Sequence, residues 1–162
     1  MVKVRVISNQ SIYFGDNYSL ADKSKYPEID RVIVQIHGGG FIAMSSYSYQ
    51  PFAREWVKNT RSVMFCIDYG LAPERPYPNA IEDIWQAYYW IMTQAQKHMN
   101  VQPKHVVVIG DSAGGNLATA LALKCIREGM PAPKLVLCYP GIDLISSEPK
   151  HGHIFSLNAR II

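Results

Sequence analysis

Four short apolar runs, rich in β-branched side chains, set the limits on what this sequence can fold into: V-I-V-Q-I at 32–36, V-M-F-C-I at 63–67, V-V-V-I at 106–109 and L-V-L-C-Y at 135–139. Each is too short for a helix and apolar on both faces, the pattern of a strand buried in a parallel sheet. Parallel strands need long crossovers, and the intervening segments supply them. Ile81, Ile84, Trp85, Tyr88, Met92, Ala95 and Met99 recur at three- and four-residue spacing and predict a helix, with Asn79 and Glu82 forming its capping box. A second helix begins near Ser112, carries Leu117, Ala118, Leu121, Ala122 and Cys125 on one face, and ends at Gly129 before Pro131. A third is predicted over 51–59. Segments 2–7 and 11–14 read as two further strands. The resulting order predicts an α/β fold, a mostly parallel sheet with helices on both faces.

With 162 residues, 48% of them hydrophobic, the chain is long enough for one core, and 1–162 reads as a single domain without repeats or linkers. The net charge is only +3 and no Lys/Arg run is present, which argues against a nucleic-acid or anionic-membrane partner. The opening M-V-K-V-R-V-I-S alternates instead of forming the apolar core of a signal peptide. No apolar run approaches the ~20 residues of a transmembrane segment. Cys66, Cys125 and Cys138 each lie inside an apolar segment, so they read as reduced core residues of a cytoplasmic protein.

In open α/β sheets the chemistry gathers at the carboxyl ends of strands, and two glycine-rich segments fall there: His37-Gly38-Gly39-Gly40 and Gly110-Asp111-Ser112-Ala113-Gly114-Gly115. A serine at the tip of a strand-to-helix turn needs small residues two positions either side, because the turn brings the two backbones together. Gly110 and Gly114 meet that need, and Ser112 is placed as an exposed nucleophile. Acyl transfer also requires N–H donors aimed at a developing oxyanion. Gly39 and Gly40, with Ala113 at the helix start, can supply three. A glycine loop after a strand could instead cradle phosphate. Against that, no Lys-Ser/Thr follows the glycines and no G-x-G-x-x-G opens either helix. No cofactor is expected.

The segments HGGGF at 37–41, DYGLAPERPYPNA at 68–80 and GDSAGGNLA at 110–118 closely resemble the hormone-sensitive lipase family of α/β-hydrolases, and the likeness extends over 32–143. The stretch 48–56 and the tail S-S-E-P-K-H-G-H-I-F-S-L-N resemble the family's namesake lipase more than its small bacterial members. The resemblance implies hydrolysis of carboxylic esters, with Ser112 as nucleophile and Gly39, Gly40 and Ala113 as oxyanion donors. Implied substrates run from short acyl esters to acylglycerols and sterol esters. Asp68, Tyr69 and Glu74 match a family loop and are assigned structural roles. His37, which precedes the nucleophile on another strand, is assigned to shaping the oxyanion loop beside Gly38.

The family's triad continues with an acid after the next strand and a histidine after the last one. The sequence ends at Ile162 before either, so the expectation is a partial α/β-hydrolase domain lacking the last strands and helices. Asp143 with His151 or His153 would restore the order Ser, Asp, His. Those histidines lie only 8 and 10 positions past Asp143 (151 − 143 and 153 − 143), too near for a separate loop facing Ser112. His151-Gly152-His153 lacks the companions of a metal site, and His98 and His105 read as solvated. Two other readings stand: a catalytically incomplete relative binding an acyl-like or hormone-like ligand, as plant gibberellin receptors of this family do, or an inactive fragment. The strand at 135–139 is expected to form an exposed sheet edge through which the chain self-associates.

Overall fold

The computed structural model describes residues 2–15 and 22–142. Five strands and three α-helices follow in the order β1 (Lys3–Ser8), β2 (Ile29–Ile36), α1 (Gln50–Thr60), β3 (Val63–Asp68), α2 (Asn79–Met99), β4 (Val101–Asp111), α3 (Ala113–Arg127) and β5 (Lys134–Cys138). One sheet holds all five strands in the order β1-β3-β2-β4-β5. β1 runs antiparallel to β3, and every other pairing is parallel.

Handedness decides where the helices lie. The step from β2 through α1 to β3 moves one way along the sheet; the steps through α2 and α3 move the other way. A right-handed crossover therefore puts α1 on one face and α2 and α3 on the opposite face. Side-chain alternation agrees with this. Val32, Val34, Ile36, Phe65, Ile67 and Val108 join Ile84, Tyr88, Ile91, Leu117 and Leu121 in one buried cluster. Ile33, Met64, Cys66 and Ile109 pack with Ala53 and Val57 of α1 in a second. Each such fully buried side chain contributes roughly 1.5–3 kcal/mol of hydrophobic stabilisation.

The reversal of direction also fixes a crevice. The chain leaves β2 toward one edge and β4 toward the other, so the loops after these neighbouring strands diverge and leave a gap at their carboxyl ends. Both glycine-rich segments border that gap.

Four expectations are corrected. Residues 11–14 form no strand; Gly15 instead donates its N–H to His98 O at 2.9 Å, tying the segment to the end of α2. The Asn79–Glu82 capping box does not form. A turn built on Pro76 and Pro78 already offers acceptors there: Asn79 Nδ2 donates to Pro76 O at 2.7 Å, and Glu82 N donates to Pro78 O at 3.2 Å. The Glu82 carboxylate is left to pair with Lys124 of α3 at 3.5 Å. Cys138 is exposed rather than buried, because it stands on an edge strand, whereas Cys66 and Cys125 are in the core. His98 is only half-exposed, with Nδ1 bonded to Gly15 O at 3.1 Å, while His105 is exposed as expected.

Candidate active site

Ser112 stands between the end of β4 and the start of α3 with φ 51° and ψ −119°, a conformation that side chains rarely adopt and that costs of order 1–3 kcal/mol. Three backbone bonds hold it there. Its N–H donates to Cys138 O at 3.0 Å, and its carbonyl accepts from Asn116 N at 3.2 Å and Gly141 N at 3.1 Å. Asn116 adds a side-chain bond to Gly141 O at 2.7 Å, so β5 and the segment after it brace the turn. The flanking glycines are required by contact: a Cβ on Gly110 would strike Gly114 O, and one on Gly114 would strike Ile36 O and lie 2.6 Å from His37 O. The first turn of α3 is thereby pressed against the end of β2.

That contact brings the second glycine segment alongside. Gly38 N donates to Asp111 Oδ1 at 3.2 Å, while Gly39 and Gly40 continue with φ 105° and 62°. The loop closes on itself through Ala43 N to Gly39 O at 3.0 Å. Among the described residues, no acceptor meets the N–H groups of Gly39, Gly40 or Ala113. No side chain there hydrogen-bonds to Ser112 Oγ either.

His37 is buried beneath this loop. Its ring stacks on Tyr69 with centroids 4.3 Å apart, and Nδ1 lies 2.8 Å from Gly38 O. Since that partner is a carbonyl, Nδ1 must carry the proton. Burial pulls the His37 pKa below the ordinary imidazole value and keeps the ring neutral. Tyr69 Oη donates to His37 O at 2.8 Å. Asp68, at the end of β3, accepts from Ser46 N at 2.6 Å and Ser46 Oγ at 2.8 Å. Glu74 is exposed.

Three parts of this framework carry no sequence signal of their own. Tyr49 Oη donates to the Asp111 carboxylate at 2.7 Å. Arg75 forms a two-point bond with buried Asp83, at 2.6 and 2.9 Å, and the same carboxylate takes Gly70 N at 2.9 Å. The segment thus anchored donates Ala72 N to Phe41 O at 2.9 Å and so supports the glycine loop after β2. Only the identity of Arg75 and Asp83, eight positions apart across a helix start, could have hinted at their pairing.

An apolar cleft of about 960 Å³ opens between β1 and α2, bordered by Val4, Val6, Phe65, Trp90 and Ile91. It lies at the β1 edge of the sheet rather than at the carboxyl ends of β2 and β4, and Ser112 does not border it. Among the described residues, no three His, Cys, Asp or Glu side chains gather as metal ligands would. Asp143, His151 and His153 lie outside the described residues.

A family model for the alpha/beta hydrolase fold matches residues 33–159. The chain belongs to the α/β hydrolases. Within them it is 38% identical to the hormone-sensitive lipase of Mus musculus over 125 residues, which are 75% of this chain and 16% of that lipase. An esterase of Acinetobacter venetianus is 34% identical over 136 residues, 80% of this chain and 43% of the esterase. Among solved structures, the hyperthermophilic esterase from the archaeon Pyrobaculum calidifontis superposes with a TM-score of 0.76 at 31% identity, covering 90% of this chain and 43% of that one. A hormone-sensitive lipase from a metagenome library gives 0.64 at 34% identity, over 71% of this chain and 37% of its own. This α/β hydrolase therefore spans less than half the length of each of these relatives, which are esterases and lipases. No helix among the described residues is long and apolar enough to cross a membrane.

Proposed function

We propose that this α/β hydrolase carries the nucleophile and oxyanion hole of a carboxylic ester hydrolase acting on lipid or small acyl esters. Ser112 Oγ attacks the ester carbonyl carbon while its proton passes to a base. The carbonyl π electrons move onto oxygen, and the oxyanion is held by the N–H groups of Gly39, Gly40 and Ala113. Collapse of the tetrahedral intermediate expels the alcohol, and water then releases the acid from the acyl-serine. His37 is not assigned as the base: its ring is buried in a stack with Tyr69, and neither ring nitrogen hydrogen-bonds to Ser112 Oγ. Buried, reduced Cys66 and Cys125 favour a cytoplasmic setting.

The observation that carries this reading is Ser112 held at φ 51° where the loop after β2 presents N–H groups that meet no acceptor among the described residues. The test is labelling by a fluorophosphonate. Ser112 should be the only residue modified, and Ser112→Ala should abolish the label. Fast labelling that disappears in His151→Ala or His153→Ala would assign the base to those residues. Labelling that survives Ser112→Ala would overturn the proposal.

A further inference from the structure

We propose that Tyr49 is a positioning residue for ester hydrolysis: through Asp111 it fixes the oxyanion loop against the nucleophile turn. The inference rests on the hydrolase reading above and adds a part that the glycine motifs do not contain.

Asp111 is the pivot. It immediately precedes Ser112, and its carboxylate reaches the loop after β2 through Gly38 N at 3.2 Å. The approach is close enough that a Cβ on Gly38 would lie 2.5 Å from Asp111 Oδ2. One carboxylate thus joins the two segments that must be registered for an oxyanion to meet its donors. A carboxylate with a single backbone partner would be free to rotate away. Tyr49 Oη sits 2.7 Å from both of its oxygens and 3.3 Å from Gly38 N, so it caps the bond from the far side. Burial and the bond to Asp111 raise the phenol to about 12, so it remains a proton donor at the pH of ester hydrolysis.

Tyr49 is itself held in place. It ends the short 3₁₀ turn Ser46–Tyr49, whose first residue is bonded at both N and Oγ to Asp68 at the end of β3. Arg5 of β1 donates Nε to the same Ser46 Oγ at 3.1 Å. The phenol is therefore delivered from a turn anchored on two further strands, independent of the strands that carry the glycine loop and Ser112. Alignment of backbone donors to within fractions of an ångström is worth far more to a transition state than to a ground state, so a brace on the loop acts on the chemical step.

The test compares the unsubstituted chain with Tyr49→Phe, which keeps the ring and removes the one donor. Paired phosphonates that differ only in P=O or P=S report on the hole, because sulfur is the weaker hydrogen-bond acceptor; the ratio of their rates at Ser112 cancels any change in the fraction of folded protein. Tyr49→Phe should shrink that ratio by about tenfold. Independently, amide hydrogen exchange at Gly38 should accelerate by about tenfold while the amides of β2 keep their protection. An unchanged ratio, or unchanged Gly38 exchange, would overturn the proposal. If the unsubstituted chain is not labelled at Ser112 by either phosphonate and Gly38 exchange still accelerates, the brace stands and the hydrolase reading is what fails.

Discussion

At Gly40 the backbone has φ 62°, yet the nearest atom to a Cβ built there, Ile42 Cγ1, is 3.9 Å away. A side chain would therefore meet conformational strain rather than a clash, and it would project into open space beside the glycine loop. On the proposed function, Gly40→Val should lower the phosphonylation rate of Ser112 by about 100-fold, the cost of losing one well-aimed donor, and the left-handed strain should lower the melting temperature by a few degrees. His37 responds to pH. Its folded pKa lies below the unfolded one because burial penalises the cation. The unfolded chain therefore binds the extra proton first, and the stability present above the ordinary imidazole pKa is lost as pH falls from there toward the folded value. Thermal melting at pH 7.5 and 5.5 should show a larger loss for the unsubstituted chain than for His37→Asn, which keeps an N–H donor but does not titrate; equal losses would contradict a neutral, buried His37. The tight turn at Ser112 and the glycine loop after β2 were legible in the sequence because each motif packs its requirements into a few consecutive positions. Tyr49 was not: its partner Asp111 is 62 positions away, and only the fold brings the two together.

Strands 32–36, 63–67 and 106–109 were legible for a physical reason, since a strand buried on both faces must be apolar at consecutive positions. Their helices followed from spacing, and the two-faced arrangement from crossover handedness. Element ends were harder to read, because a cap is a competition among local acceptors. At the start of α2 the carbonyls of Pro76 and Pro78 win it over the Asn79 side chain. The segment from Gly70 to Asn79 has almost no apolar burial, so its position depends on polar ties. Asp83, buried in α2, is the main one, and Arg75 reaches it from half-exposed ground. Arg75→Met would leave that carboxylate buried with Gly70 N as its remaining partner. The expected cost is about 3 kcal/mol, read from the urea midpoint of tryptophan fluorescence in dilute solution. Since Ala72 N supports Phe41 O, the same variant should also slow phosphonylation of Ser112. A variant as stable as the parent would show that the ion pair is solvated and optional.

Over the whole molecule the sheet is finished differently at its two edges. At one, β1 is a short antiparallel strand carrying Lys3 and Arg5, charges that discourage pairing with another chain. At the other, β5 pairs with β4 from Lys134 to Cys138, and nothing among the described residues pairs with its outer side. Lys134 is its only charge. Leu135 and Leu137 lean into the cluster around α3, but Val136 is 40% exposed and Tyr139, just beyond, 77%. Leu123 and Ile126 of α3 are exposed as well, so apolar surface accompanies a row of N–H and C=O groups that no described strand pairs with. Such an edge is a template for a second strand, and another copy of the same β5 is the partner present at highest concentration. The 162-residue chain, expressed alone, should therefore self-associate, with a light-scattering mass that rises with concentration. Val136→Lys should shift the population toward monomer by placing a charge where two strands would meet, without touching β4. A monodisperse monomer at all concentrations, melting cooperatively and binding no hydrophobic dye, would show instead that this edge is covered by the chain itself.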